Sequence, residues 1–130
     1  MALFPCNIGG GGTMAETVLW TNPSPTASMG STNVSLSDNI TKYKIIKFTF
    51  RHSTTLANEH SILVEINDFL NFGTADGQDC FSAVSRVGSV YARRVFYESD
   101  TSIAFASAIQ INGTVTNNNA CIPIKITGLS

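Results

Sequence analysis

An all-β antiparallel sandwich is the fold this sequence predicts, and three observations predict it. Short β-branched and aromatic runs recur along most of the chain, Asn, Asp, Gly and Pro separate them at fairly even intervals, and apolar residues alternate with polar ones inside the runs. Alternate residues on a strand face opposite sides of the sheet, so a period of two means one buried side and one wet side. Such strands, with no helices to cover them, must pack on a second sheet or close on themselves. The expected architecture is therefore a sandwich of about eight strands, jelly-roll-like. A chain of 130 residues, 43% of them hydrophobic, supplies one such core.

Residues 1–15 stand apart, because the run Gly9, Gly10, Gly11, Gly12 carries no side chains to pack and holds no single conformation cheaply. They read as a flexible arm, and residues 16–130 as the sandwich. Strands are expected at 16–21, 33–37, 43–53, 61–68, 80–87, 89–99, 102–112 and 121–127. In the third, Ile46, Phe48 and Phe50 share a face against Lys47, Thr49 and Arg51. In the fourth, Ile62, Val64 and Ile66 alternate with Ser61, Glu65 and Asn67, although Leu63 falls on the polar side. In the seventh, Ile103, Phe105, Ile109 and Ile111 are expected on one face, opposite Ala104, Ala106, Ala108 and Gln110. In the eighth, Ile122, Ile124 and Ile126 alternate with Pro123, Lys125 and Thr127, and Pro123 calls for an edge strand or a bulge. One helical turn fits at 68–72. Tight turns are expected at Val87-Gly88-Ser89 and at Glu98-Ser99-Asp100-Thr101, and long loops at 22–32, 54–60, 71–79 and 113–120.

Charge narrows the function classes. Lys and Arg number 8 against 9 Asp and Glu, and charged residues make up 13% of the chain. No concentration of positive charge exists for a nucleic-acid backbone, and no apolar run is long enough for membrane insertion. The 14 Ser, 14 Thr and 11 Asn supply much of the solvated surface. The opening MALFPCNIGGGGT lacks the basic segment of a signal peptide, so export is not expected. Cys6, Cys80 and Cys121 are odd in number and widely spaced, which fits free thiols in a reducing compartment rather than a zinc or redox site. Without export, the glycosylation sequons at Asn33, Asn39 and Asn112 carry no weight.

No catalytic constellation is visible, and no enzyme is expected. His52 closes a strand and His60 follows Glu59 in a loop, neither beside a recognisable nucleophile, and both read as rim histidines. The glycine run lacks the preceding strand and following helix that aim amides at phosphate. Asp76-Gly77-Gln78-Asp79 offers two carboxylates on a bent loop, but an Asp-capped glycine turn explains the same residues, so no metal or other cofactor is expected. Tyr91, Arg93, Val95 and Tyr97 share one face of the strand YARRVFYE. Aromatic rings flanking a guanidinium suit stacking on a sugar, so Tyr91, Arg93 and Tyr97 are candidates for a glycan or a subunit contact. Trp20, the single tryptophan, reads as a core or inter-sheet wedge rather than a ligand platform.

The segment 16–51, ETVLWTNPSPTASMGSTNVSLSDNITKYKIIKFTFR, has an opening of the form "vLWtNpsPt", a middle "vtLsd.i..Y" and a strand "i.f.yr". The positions that carry the pattern are Leu19, Trp20, Thr21, Asn22, Pro23, Pro25, Thr26, Leu36, Ser37, Asp38, Ile40, Tyr43, Ile45 and Arg51. This stretch, little more than a quarter of the chain, resembles a small β module that recurs in structural proteins of tailed bacteriophages and prophages of Firmicutes and gut bacteria. The glycine-rich arm is similar to those of short phage fibre and decoration proteins. The resemblance implies a virion component on a tail fibre, baseplate or capsid surface, made in the host cytoplasm and assembled without export. It implies an arm docking on other virion proteins through Leu3, Phe4, Pro5 and Ile8, a homotrimer, and a sandwich displayed for host-surface recognition. The competing expectation is a stand-alone carbohydrate-binding, lectin-like module.

Overall fold

The computed structural model describes residues 7–8, 12–73 and 80–130. Two antiparallel sheets pack face to face, as the alternation requires. One contains β3 (Glu16–Thr21), β5 (Ile45–Ser53), β6 (Glu59–Glu65) and β11 (Ala120–Leu129), in the order β3-β11-β5-β6. The other contains β4 (Thr32–Ser35), β7 (Phe81–Val87), β8 (Ser89–Ser99), β9 (Ser102–Phe105) and β10 (Ile109–Gln110). Within it β8 carries β7 along one edge and β9 then β10 along the other, and β4 lies beyond β9. Because β9 and β10 continue one another, the plan is eight strands in two layers, and the all-β sandwich is as expected. The chain crosses between the sheets after β3, β4, β6 and β10, while the β5–β6 and β7–β8–β9 turns stay within a sheet. A separate two-residue ladder joins β1 (Asn7–Ile8) to β2 (Gly12–Thr13).

The core forms where the sequence places it. Ile46, Phe48 and Phe50 of β5 are fully buried and face Val95, Ile103 and Phe105 of the opposite sheet, all likewise buried. Phe105 meets Phe48 and Phe50 edge-on, with centroids 6.4 and 6.2 Å apart, the arrangement that the ring quadrupole favours. Each buried phenylalanine stabilises the fold by roughly 1.5–3 kcal/mol through area alone. Pairing reaches one residue before the expected boundary: Met14 is buried, and Ala15 and Ser130 exchange backbone hydrogen bonds of 3.2 and 3.0 Å.

Two expectations about elements change, and a choice between two alternatives is decided. The fourth strand stops at Glu65, and the helical turn forms at α1 (Ile66–Phe69), earlier than 68–72. A helical turn puts Ile66, Phe69 and Leu70 on one side, and Phe69 fills the end of the core 5.3 Å from Phe48. Of the edge strand or bulge expected at Pro123, the structure has the bulge: Pro123 lies in central β11, at a register shift between Pro123 and Lys125. The seventh strand is broken rather than continuous. Val95 opposes Phe105, whereas Ala92 opposes Ile109, so one extra residue lies between the two pairings. A one-residue slip exchanges the faces. Ile103 and Phe105 point into the core, Ala108 takes the next inward place, and Ile109 and Ile111 turn outward.

Candidate functional site

Strand β8 turns the face of Tyr91, Arg93 and Tyr97 inward, which corrects the expectation of a glycan or subunit contact there. Tyr91 is buried, Arg93 is 0% exposed, and Tyr97 is half-buried, its hydroxyl donating to Asp100 Oδ1 at 2.6 Å. The parity that groups these residues also groups them with Val95, which like Arg93 is fully buried, so the core claims this face from Tyr91 to Val95. Arg93 has a structural role. Its Nε donates to Cys121 O at 2.7 Å, Nη1 to Ala106 O at 2.8 Å and Nη2 to Ala120 O at 3.1 Å. The guanidinium thus ties the bulged segment after β9 to the start of β11, where Cys121 adopts φ 50. Burial pulls the Arg93 pKa down to about 10 and pushes the Cys121 thiol up to about 11, so Cys121 is a poor nucleophile. Cys80 and Cys121 are free thiols.

The outward face of the same sheet carries an apolar row. Val84, Ala92 and Ile109 lie opposite one another on β7, β8 and β10. Val90 is next along β8, and the amide of Ile111 donates to its carbonyl at 2.9 Å. Val84, Ile109 and Ile111 are 46%, 37% and 43% exposed. Arg86, opposite Val90, and Arg94 flank the row. The row exists because of the extra residue after Phe105, which brings two isoleucines out of the core.

The second surface feature is a cleft of about 500 Å³ between edge strands β3 and β4, walled by the loop that joins them. Ile126 opposes Trp20 while Thr127 opposes Val18, so Leu19 is the extra residue of a bulge. A bulge re-aims side chains, and here consecutive residues both turn toward the core. Leu19 is buried, and Trp20 packs on Phe105 at 5.9 Å with the rest of its ring lining the cleft. Trp20 is therefore the expected wedge and also a cleft wall. The loop is fixed at both ends: Asn22 N donates to Ile124 O at 2.8 Å, Asn22 Nδ2 to Pro123 O at 2.8 Å and Met29 N to Asn118 O at 2.9 Å. Ser24 N closes an Asx turn on Asn22 Oδ1 at 2.8 Å, the local conformation that Asn-Pro-Ser favours.

His52 lies in β5 with its Nε2 2.5 Å from the Arg86 carbonyl oxygen, and His60 lies in β6 rather than in the expected loop. His60 stacks on Phe50 with centroids 5.6 Å apart, and its pKa is lowered by burial first and by the neighbouring charge of His52 second. Among the described residues no three His, Cys, Asp or Glu side chains gather to hold a metal, and no helix is long and apolar enough to cross a membrane. Leu3, Phe4, Pro5 and the loop Asp76 to Asp79 lie outside the described residues; of the docking candidates only Ile8 is described, through its backbone pairing in β1. Sequence reasoning missed the outward row and the cleft, since both depend on bulges. The local signal was the unbroken run Val18-Leu19-Trp20, where strict alternation would have set a polar residue in the middle.

No protein-family model matches the chain, and comparison with curated proteins finds no relative.

Proposed function

We propose that this chain is a structural component of a bacteriophage virion, of tail-fibre, baseplate or capsid-decoration type, whose sandwich is displayed for host-surface recognition. The exposed row of Val84, Ala92, Ile109 and Ile111 carries the assembly part of this reading. Contiguous apolar surface on a small domain marks a contact with another protein, and three copies around an axis would cover such a face. The virion part rests on the likeness of residues 16–51 to the phage module. Its positions are spent on architecture here. Leu19, Leu36, Ile40 and Tyr43 are buried, Asn22 pins the loop after β3, and Tyr43 donates to Asp38 Oδ2 at 3.0 Å. Asp38 is held below the usual carboxylate range by Lys42 first, then by the Asn39 amide and the Tyr43 hydroxyl. A pattern that specifies a corner of a sandwich is what a reused module would keep.

Sedimentation equilibrium across about a hundredfold dilution tests the assembly. The expected result is a trimer that Ile109→Glu dissociates without unfolding; a strict monomer refutes it. Removing residues 1–12, with Leu3, Phe4, Pro5 and Ile8, is expected to stop incorporation into particles while the sandwich stays folded. Undiminished incorporation refutes the docking role of the arm. The second reading, a stand-alone carbohydrate-binding module, is favoured by the Trp20 cleft.

A further inference from the structure

We infer that the cleft between β3 and β4 is a binding site for a neutral oligosaccharide, with Trp20 as its stacking surface. The inference rests on the recognition role proposed above and assigns it a place and a ligand chemistry.

The floor of the cleft is apolar: Trp20, Met29 and Val34. Its rim is polar without charge: Ser24 and Ser28 of the loop, with Asn22 and Thr32, and no Asp, Glu, Lys, Arg or His lines it. Neither serine hydroxyl makes a hydrogen bond to a described residue, although the loop's backbone is bonded to its neighbours at both ends. The cleft therefore offers unspent hydroxyl groups beside an indole packed on Phe105. A hydroxyl both donates and accepts, which matches the hydroxyls of a sugar. An indole face matches the C–H face of a pyranose ring. A charged ligand would bring its charge into a site with no counter-charge, so sialylated or phosphorylated glycans fit less well. The volume lies within the roughly 300–1,000 Å³ of small-ligand clefts, and the loop pays little ordering entropy on binding because it is already fixed.

Trp20 is the chain's only tryptophan, so its emission reports directly on this cleft. The full chain is titrated with glucose-, galactose- and rhamnose-terminated neutral oligosaccharides, and with a sialylated oligosaccharide as the charged control. A saturable emission shift with at least one neutral oligosaccharide is expected, with the sialylated control at least about tenfold weaker. Ser28→Ala, at an exposed position of the loop, is expected to keep the melting temperature and weaken binding about five- to tenfold, the range for one lost neutral hydrogen bond. No saturable shift with any neutral oligosaccharide, a preference for the sialylated control, or unchanged binding by a folded Ser24→Ala, Ser28→Ala double variant would each overturn the site. In the reading proposed above, oligomer formation belongs to the outward row and particle incorporation to the arm, and neither to the cleft. A protein that assembles but binds no sugar loses this inference alone, whereas one that does neither loses the virion reading too.

Discussion

Replacing Arg93 by Met keeps an unbranched apolar stem and removes every donor. Three backbone carbonyls, of Ala106, Ala120 and Cys121, then lose their partner. An orphaned buried acceptor costs about 1–3 kcal/mol, so the three together cost roughly 3–9 kcal/mol. The opposing gain is the desolvation the cation no longer suffers. Its pKa falls from 12.5 to about 10, and at about 1.36 kcal/mol per unit that is about 3 kcal/mol. The net expectation is a loss of about 3 kcal/mol, centred within a range that starts near zero, and roughly 10 °C in melting temperature for a domain of this size. Arg93→Lys sharpens the test. An ammonium retains the burial cost but cannot span three carbonyls held by a planar fork, so the lysine variant should be no more stable than the methionine variant. Urea unfolding followed by Trp20 emission measures both. A methionine variant within about 0.5 kcal/mol of the native chain, or full rescue by lysine, would refute the view that this guanidinium staples β11 to the bulge after β9.

Two further outcomes follow from the packing. A Cβ on Gly128 would lie 2.5–2.8 Å from the Tyr43 ring, and neither the central strand nor the buried ring has room to move; Gly128→Ala should cost about 1–3 kcal/mol or more in urea unfolding, and Tyr43→Ala in that background should recover part of the strain. His60 has a folded pKa below its ordinary 6.5, so the unfolded chain takes up the proton first as pH falls. Its contribution is complete above about pH 6.5 and is lost as pH falls through the folded value. Melting temperature should decline in that window for the native chain and decline less for His60→Phe, and parallel profiles would count against it.

What the sequence determined by itself is the layer plan and most of the core. Period two in IIKFTF put Ile46, Phe48 and Phe50 inside because alternation is a property of the extended backbone and needs no partner to be read. Gly88, at φ 74, and the Asp100-Thr101 turn were legible for the same reason, since turn chemistry is local. Parity could group Tyr91, Arg93 and Tyr97 but could not say which face was buried, since Arg93 lies on one face and Arg94 on the other. Only the tertiary structure supplies three carbonyls, from segments 13 to 28 residues away, that let a guanidinium lie in the core. The bulges at Leu19 and after Phe105 are likewise relations between strands, one extra residue measured against a partner. Each moves apolar side chains across the sheet, one bringing Trp20 to the cleft and the other Ile109 and Ile111 to the surface. Alternation is written in one strand, but register is written between two, and both candidate surfaces of this protein are consequences of register.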